Sequence, residues 1–358
     1  MRPDEFNYDR YLRACEDMDA RAEGFHRGEF LPVMQWSLGP NTYSFDCRDP
    51  KRMLENQLDG ITQTLAASND QPPHLEPWHG IGVFAEAYGC PFEWGETDAP
   101  WTRAVVNDIE GLKRLEPPQI EQSALLRRVL ETTEYFNEQT KGRVRIAPTD
   151  TQSPLSTMSL ICDVTWMLTE AADYPEELHR VLDGLTGLII AFSRRQRALC
   201  TLPASPGHTM WSPSLMHGIS LSADMLALVG RGFYEEFGRP YDERIARELG
   251  GVGMHSCGRW HHNFEMVKSY ENLSMIDLAI STAWDPGPAI PEKVAEAFGG
   301  TGIPVQARCD IADLAAIDML IRADCRMIFS VFWDDSPAVR NHNYDLIKER
   351  FAAWKSGR

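Results

Sequence analysis

The feature that most constrains this chain is a repeated alternation of short apolar runs with longer amphipathic stretches. LPVMQWS (31–37), VRIAPTD (144–150), HTMWS (208–212), HGISLSAD (217–224), GVGMHSC (251–257), MIDLAIST (275–282), IPVQARCD (303–310) and RMIFSVFWDD (326–335) each read as a strand stopping at a loop. Between them lie helical patterns. Over residues 119–140, Leu125, Leu126, Val129, Leu130 and Phe136 share one face ahead of Gly142. From Pro175 to Cys200, Glu176 and Glu177 open a helix and Arg194, Arg195 and Arg197 close it, matching the helix dipole at both ends. Strand-then-helix repetition implies parallel strands, because each crossover helix returns the chain to the same end of the sheet.

Roughly eight such units favour a closed (β/α)8 TIM barrel over an open doubly wound sheet, and no GxGxxG follows the first strand. The expectation is one α/β barrel domain over residues 1–358, with the barrel proper at about 30–358 and a helical extension over 1–29. A long, mostly irregular insertion is expected near residues 70–100, where only GIGVFAEAY reads as regular.

Charge excludes some partners. A net charge of −17 argues against nucleic acid and anionic membranes, both of which need a basic patch. The N-terminal stretch is charged from its second residue and reads as no secretory signal, and the apolar run Leu185–Phe192 is too short to span a bilayer. A soluble cytoplasmic protein is the expectation. The eight cysteines are too sparse for a disulfide scaffold, so most are expected to be reduced and packed.

In such a barrel the chemistry sits where strands end. Strand ends offer Gln35 and Asn41, Asp150 with Gln152, Ser222 with Asp224, His255 with Cys257, Asp277 or Ser281, Cys309 with Asp310, and Trp333 with Asp334 and Asp335. His255, Cys257 and Cys309 combine an imidazole with two thiolates, a set that suits zinc and leaves a fourth position open for substrate. The competing reading makes these three ordinary packed side chains. Cys325, before the final strand, belongs at the opposite rim. Asp150 reads either as a helix cap or as a site acid, and Asp224 is equally ambiguous. Gln35, Asp150 and Asp224 are the candidate catalytic groups; Asn41, His79, Gln152, Trp211, Ser222, Trp333 and Asp334 are candidate substrate contacts. His261 and His262 either orient a ligand or face solvent, and His74, Trp78, His79 and Trp94 either form a lid or pack outside the barrel.

DTQSPL, SADMLALVGRGFYEEFGRPYDERI, GVGMHSCG, VQARCDI and DDSPAVRNHNYDLIKE together resemble the uroporphyrinogen decarboxylase superfamily, which includes methylcobamide:coenzyme M methyltransferases. The similarity covers about residues 25–355 and implies a (β/α)8 barrel with its site at the C-terminal mouth. True decarboxylases carry an arginine-rich stretch after the first strand to hold a polycarboxylate. Here that region reads VMQWSLGPNTYSF, without arginine, which disfavours porphyrinogen decarboxylation. The methyltransferase branch binds zinc through His-x-Cys, matched by His255 and Cys257, and a distant third cysteine after the last strand. This chain has FSVFWDDSP there, and Cys309 stands as the substitute. The resemblance therefore implies a zinc methyltransferase moving a methyl group between a small substrate and a corrinoid or folate carrier. No DxHxxG occurs, so a cobalamin would arrive free or on a separate corrinoid protein; the resemblance also implies a homodimer. The alternatives are a metal-free decarboxylase or lyase using Asp150 and Asp224, and a non-catalytic ligand-binding barrel.

Overall fold

The structure is a computed structural model that describes residues 1–35, 45–70, 73–95, 98–204, 216–331 and 336–357. Its strands are β1 (Val33–Met34), β2 (Phe92–Glu93), β3 (Trp101–Thr102), β4 (Ile219–Ser222), β5 (Val252–His255), β6 (Leu273–Ala279), β7 (Pro304–Cys309) and β8 (Arg326–Val331). β2 and β3 form a separate antiparallel ribbon. The other strands make one six-stranded parallel sheet in the order β1-β8-β7-β6-β5-β4. Parallel bridges continue it: Gln152 pairs with Ser222, Ile146 with Pro203, and Leu75 with Ile146. At the remaining step Asp70 joins β1, its N–H donating to the Val33 carbonyl (3.0 Å) while its Oδ2 accepts from the Val33 N–H (2.9 Å). Parallel segments separated by helices thus follow one another around to the first, the arrangement of a (β/α)8 barrel.

The expected helices are present as Ala124–Gln139, Pro175–Leu199, Pro291–Phe298 and Pro337–Ser356. No helix among the described residues is long and apolar enough to cross a membrane. In the stretch near 70–100 the helix Val83–Ala87 falls within GIGVFAEAY as expected, but the start of the stretch differs. Leu75 pairs with Ile146, and His74, Trp78 and His79 are buried, so residues 73–79 are a wall of the ring, not an insertion looped out of it. Backbone pairing is available there because short polar and proline-flanked segments can bridge a neighbour at one residue without forming a long ladder.

Side-chain alternation sorts the strands into two faces. Leu221, Met254, Ile276, Leu278, Val305 and Ala307 belong to the main hydrophobic core beneath the helices. Met34, Met275 and Ile328 alternate with these and cluster separately with Met18 and Phe25 of the helix Tyr8–His26, which closes the N-terminal end of the barrel. Polar residues Ser222, His255, Asp277, Gln306 and Arg308 share that inward parity nearer the C-terminal ends.

Asp70 is buried and ties together both ends of the chain. Its carboxylate lies 2.8 Å from Arg21 and 2.7 Å from Lys348, and accepts the Tyr344 hydroxyl at 3.0 Å. Removing it strands the mostly buried Lys348 ammonium, whose pKa burial already pushes down. Asp70→Ala is expected to lower unfolding free energy by roughly 3 kcal/mol in urea titrations, against less than about 1 kcal/mol for an exposed pair such as Lys293–Glu296.

The GFYEEFGRPYD segment is structural. Tyr234 and Tyr270 donate their hydroxyls to Asp242 Oδ2 at 2.8 and 3.2 Å, and a Cβ at Gly238 would meet the Tyr234 ring at 2.4 Å. Burial drives the Asp242 carboxyl up to about 7, outweighing these hydrogen bonds. A raised acid stabilises the fold when protonated, so this contribution is complete below about pH 4 and is lost as pH rises through about 7. Asp242→Asn should therefore gain stability relative to the native chain at pH 8 compared with pH 4. An unchanged difference between those two pH values would contradict the assignment.

Candidate active site and metal centre

The site grows from the end of β5. His255 lies beside Ser222 on β4 and Asp277 on β6, all three buried, because in-register residues of parallel neighbours point the same way. Beyond His255 the chain leaves the sheet at Cys257 and turns at Gly258, whose φ of +75° favours glycine. The Gly258 N–H donates to Asp285 Oδ2 at 2.6 Å, which anchors the turn.

His255 Nδ1 donates to Asp277 Oδ2 at 2.5 Å, while Asp277 Oδ1 accepts from Gln306 Nε2 at 3.0 Å. That fixes the imidazole plane and aims Nε2 outward. Nε2 lies 3.5 Å from Cys257 Sγ and 3.9 Å from Asp224 Oδ1, and the three ligand-type atoms all fall within 4.8 Å of one another. Burial disfavours the imidazolium, but the Asp277 and Cys257 hydrogen bonds outweigh it and push His255 up to about 10. Asp224 follows β4, and its Oδ1 accepts the Cys257 N–H at 2.8 Å. Asp224 and Cys257 are both exposed at the mouth.

Cys309 does not join them. In PVQARC, Gln306 and Arg308 take the inward parity, leaving Val305, Ala307 and Cys309 packed beneath the helices. Cys309 is fully buried, and burial raises its thiol pKa far above the usual range. Asp224 occupies the place that Cys309 was expected to fill. Cys325 is buried just before β8, at the opposite end of the barrel.

Gln35, expected as a catalytic group, is buried at the end of β1. Its buried amide Nε2 donates to the backbone carbonyls of Ser68 (2.9 Å) and Arg340 (2.7 Å), so its protons are committed to joining chain segments. His79 is a buried structural histidine: Nε2 meets Thr132 Oγ1 at 3.0 Å, and burial, with Arg128 nearby, lowers its pKa to about 3. Asp150, Gln152 and Ser222 do come together. Asp150 Oδ2 accepts Trp78 Nε1–H at 3.3 Å; its Oδ1 accepts Gln152 Nε2–H at 3.3 Å and Ser222 Oγ–H at 3.4 Å. His262 meets the Val229 carbonyl at 3.0 Å. Asn41, Trp211, Trp333 and Asp334 lie outside the described residues.

The sequence reading missed Gln306, Arg308 and Asp285 and left Asp277 undecided from Ser281. Alternation within MIDLA and VQARC, with polar residues opposite an apolar face, was the signal that marks the first two and Asp277.

A parallel β/α barrel with an imidazole, a thiol and a carboxylate converging at its mouth has the build of a barrel enzyme with a candidate metal centre. Residues 77–199 match the family described as uroporphyrinogen decarboxylase (URO-D). The chain is 24% identical over 199 residues to a methylated-thiol–coenzyme M methyltransferase of Methanosarcina mazei, a match covering 54% of this chain and 50% of that protein. It thus spans about half the length of that curated relative. A solved methyltransferase from Methanosarcina mazei shares the fold with a TM-score of 0.62 at 14% identity, covering 95% of this chain and 98% of the other. The chain is thus similar to uroporphyrinogen decarboxylase over residues 77–199 and to a methyltransferase over about half its length, and it shares its fold with a solved methyltransferase.

Exposure separates the thiols chemically. After chelator treatment, iodoacetamide should alkylate Cys257 fastest, Cys257→Ser should remove the fast phase, and Cys309→Ser should leave it intact. A fast phase surviving in Cys257→Ser would overturn this ordering.

Proposed function

We propose that the chain is a methyltransferase that holds zinc through Asp224, His255 and Cys257 and moves a methyl group between a small substrate and a corrinoid or folate carrier. A separate corrinoid protein is the carrier this reading favours, because the chain has no DxHxxG of its own. The reading takes the barrel as one domain, working as a cytoplasmic homodimer.

The observation that carries it is the convergence of the three side chains around a His255 whose other nitrogen is held by buried Asp277. Nitrogen, sulfur and oxygen donors suit zinc, and three protein ligands leave one position open. In a tetrahedral site, neighbouring N and S ligands stand roughly 3.5 Å apart, and the 3.5 Å between His255 Nε2 and Cys257 Sγ fits that edge. When bound, zinc would supply a Lewis acid that keeps a thiol ionised at neutral pH.

The chain's own residues do the remaining work. Asp277 fixes the ring orientation and leaves Nε2 to face the ion, as outer carboxylates do for metal-bound histidines. Asp285 holds the turn that presents Cys257, accepting from Gly258 and, at 2.8 Å, from the Gly287 N–H. Asp150, Gln152, Ser222 and Trp78 make a second polar wall that can orient substrate hydrogen-bonding groups.

Chelator-free purification should yield about one zinc per chain by elemental analysis. Cys257→Ser and Asp224→Asn should lose it, Cys309→Ser should keep it, and Asp277→Asn should weaken affinity roughly 10- to 100-fold. Zinc content near zero would sink this reading. It would favour instead a metal-free decarboxylase or lyase with Asp150 and Asp224 as acid and base, supported by the burial of Asp150 within the URO-D-matching residues.

A further inference from the structure

At the N-terminal end of the barrel, opposite the metal-ligand cluster, a cleft opens between the start of β4, the turn before β5 and the helix Tyr8–His26. Its outer part, of about 570 Å³, is faced by Arg145, Arg197 and His217, with Asp19 as the one lining acid among the described residues. Its inner recess, of about 50 Å³, lies against the helix Pro175–Leu199 and is walled by Ile146, Pro148, Ala204, Ile219 and Leu249. The two parts share Arg197, Pro203, Gly218 and Leu249, so they form one continuous space. Backbone contacts fix the walls. The Ala204 N–H donates to the Ile146 carbonyl at 2.8 Å, and a Cβ at Gly218 would lie 1.8 Å from the Gly251 carbonyl oxygen.

Two polar groups of this cleft are left unmatched by the fold. Of the three arginines that close the helix Pro175–Leu199, Arg194 and Arg195 pair with Glu248 and Glu121, whereas Arg197 has no ion pair among the described residues. Asp19 does not supply one, because it is held by Arg145 at 2.5 Å. Inside the recess Ser193 is 8% exposed, and its hydroxyl has no hydrogen-bond partner among the described residues. A buried hydroxyl without a partner is unfavourable, and apolar walls carrying a few unmet polar groups are the makeup of a small-molecule site. In a chain with a net charge of −17, the cationic opening selects locally for an anion.

We propose that this cleft binds a short aliphatic carboxylate carrying an oxo or hydroxyl oxygen near the end of its tail. The carboxylate lies against Arg197 and Arg145, and the tail enters the recess, where its oxygen meets Ser193. A dry cavity of roughly 150 Å³ holds benzene, so one of about 50 Å³ takes roughly two carbons. The length of β4 alone, Ile219–Ser222, sets the cleft about 10 Å from the mouth. An occupant is therefore an effector and not a reactant, whatever chemistry the mouth performs.

The test is a ligand-observed NMR titration of the native chain with 4-oxopentanoate, pentanoate and the neutral 5-hydroxy-2-pentanone. 4-Oxopentanoate should saturate one site per chain, roughly 10-fold more tightly than the neutral ketone. It should bind about 3- to 10-fold more tightly than pentanoate, which offers Ser193 no oxygen. Arg197→Gln should cut the preference for the carboxylate over the ketone to roughly 2- to 3-fold, with Arg145 still in place. Ser193→Ala should erase the preference for the oxo compound over pentanoate and leave the charge preference intact. Arg197 is exposed and Ser193→Ala removes only a hydroxyl, so neither substitution disturbs the core. Binding at the barrel mouth would be untouched by both variants. That result, or the absence of saturable binding, overturns the proposal.

Discussion

The site depends on one buried contact, the 2.5 Å approach of His255 Nδ1 to Asp277 Oδ2. It joins adjacent strands inside the barrel at register positions that the backbone ladder already sets side by side. An imidazole free to rotate would present Nε2 to no fixed point; held this way, it meets Cys257 and Asp224 at the mouth. The same carboxylate receives Gln306 on its other oxygen and lies beside Arg308, so one acid organises three neighbouring strands. Its complete burial makes each of those partners necessary, because an unpaired carboxylate there would be strongly unfavourable.

The rest of the fold supplies the rigidity that this contact needs. Helices cover the outward faces of the strands, Met18 and Phe25 seal the N-terminal end, and Asp70 clamps the first and last helices to β1. The polar layer is thereby left to the C-terminal end, where loops can differ without disturbing the core. Asp150, gripped by Trp78, Gln152 and Ser222, continues that layer onto the part of the ring joined by single bridges.

Much of the architecture was legible in the sequence, because strand-then-helix repetition leaves few topologies open. The ring segment at Leu75 was not: it pairs through single residues amid prolines and aromatics, with no apolar run to mark it. At the site, HSCG stood out through residue type, and His255 and Cys257 do converge. Cys309 misled for the same reason, since its chemistry was weighed without its parity. In PVQARC the cysteine shares a face with Val305 and Ala307, and alternation alone sends it under the helices while Gln306 and Arg308 point inward. Asp224 was read as catalytic, and only three-dimensional proximity shows it beside His255, because it lies on another strand's loop. Gln35 and His79 looked functional by type and position; in the fold the Gln35 amide protons go to the Ser68 and Arg340 carbonyls and His79 Nε2 meets Thr132.

The central claim is that the thiol, imidazole and carboxylate at this mouth form one metal centre. An anomalous difference map collected on either side of the zinc absorption edge tests metal identity and ligands together. The account predicts a single strong peak within bonding distance of His255 Nε2, Cys257 Sγ and an Asp224 carboxylate oxygen, with Cys309 outside its reach. A peak that excludes Asp224 or Cys257, or no peak in crystals grown with zinc present, would contradict it.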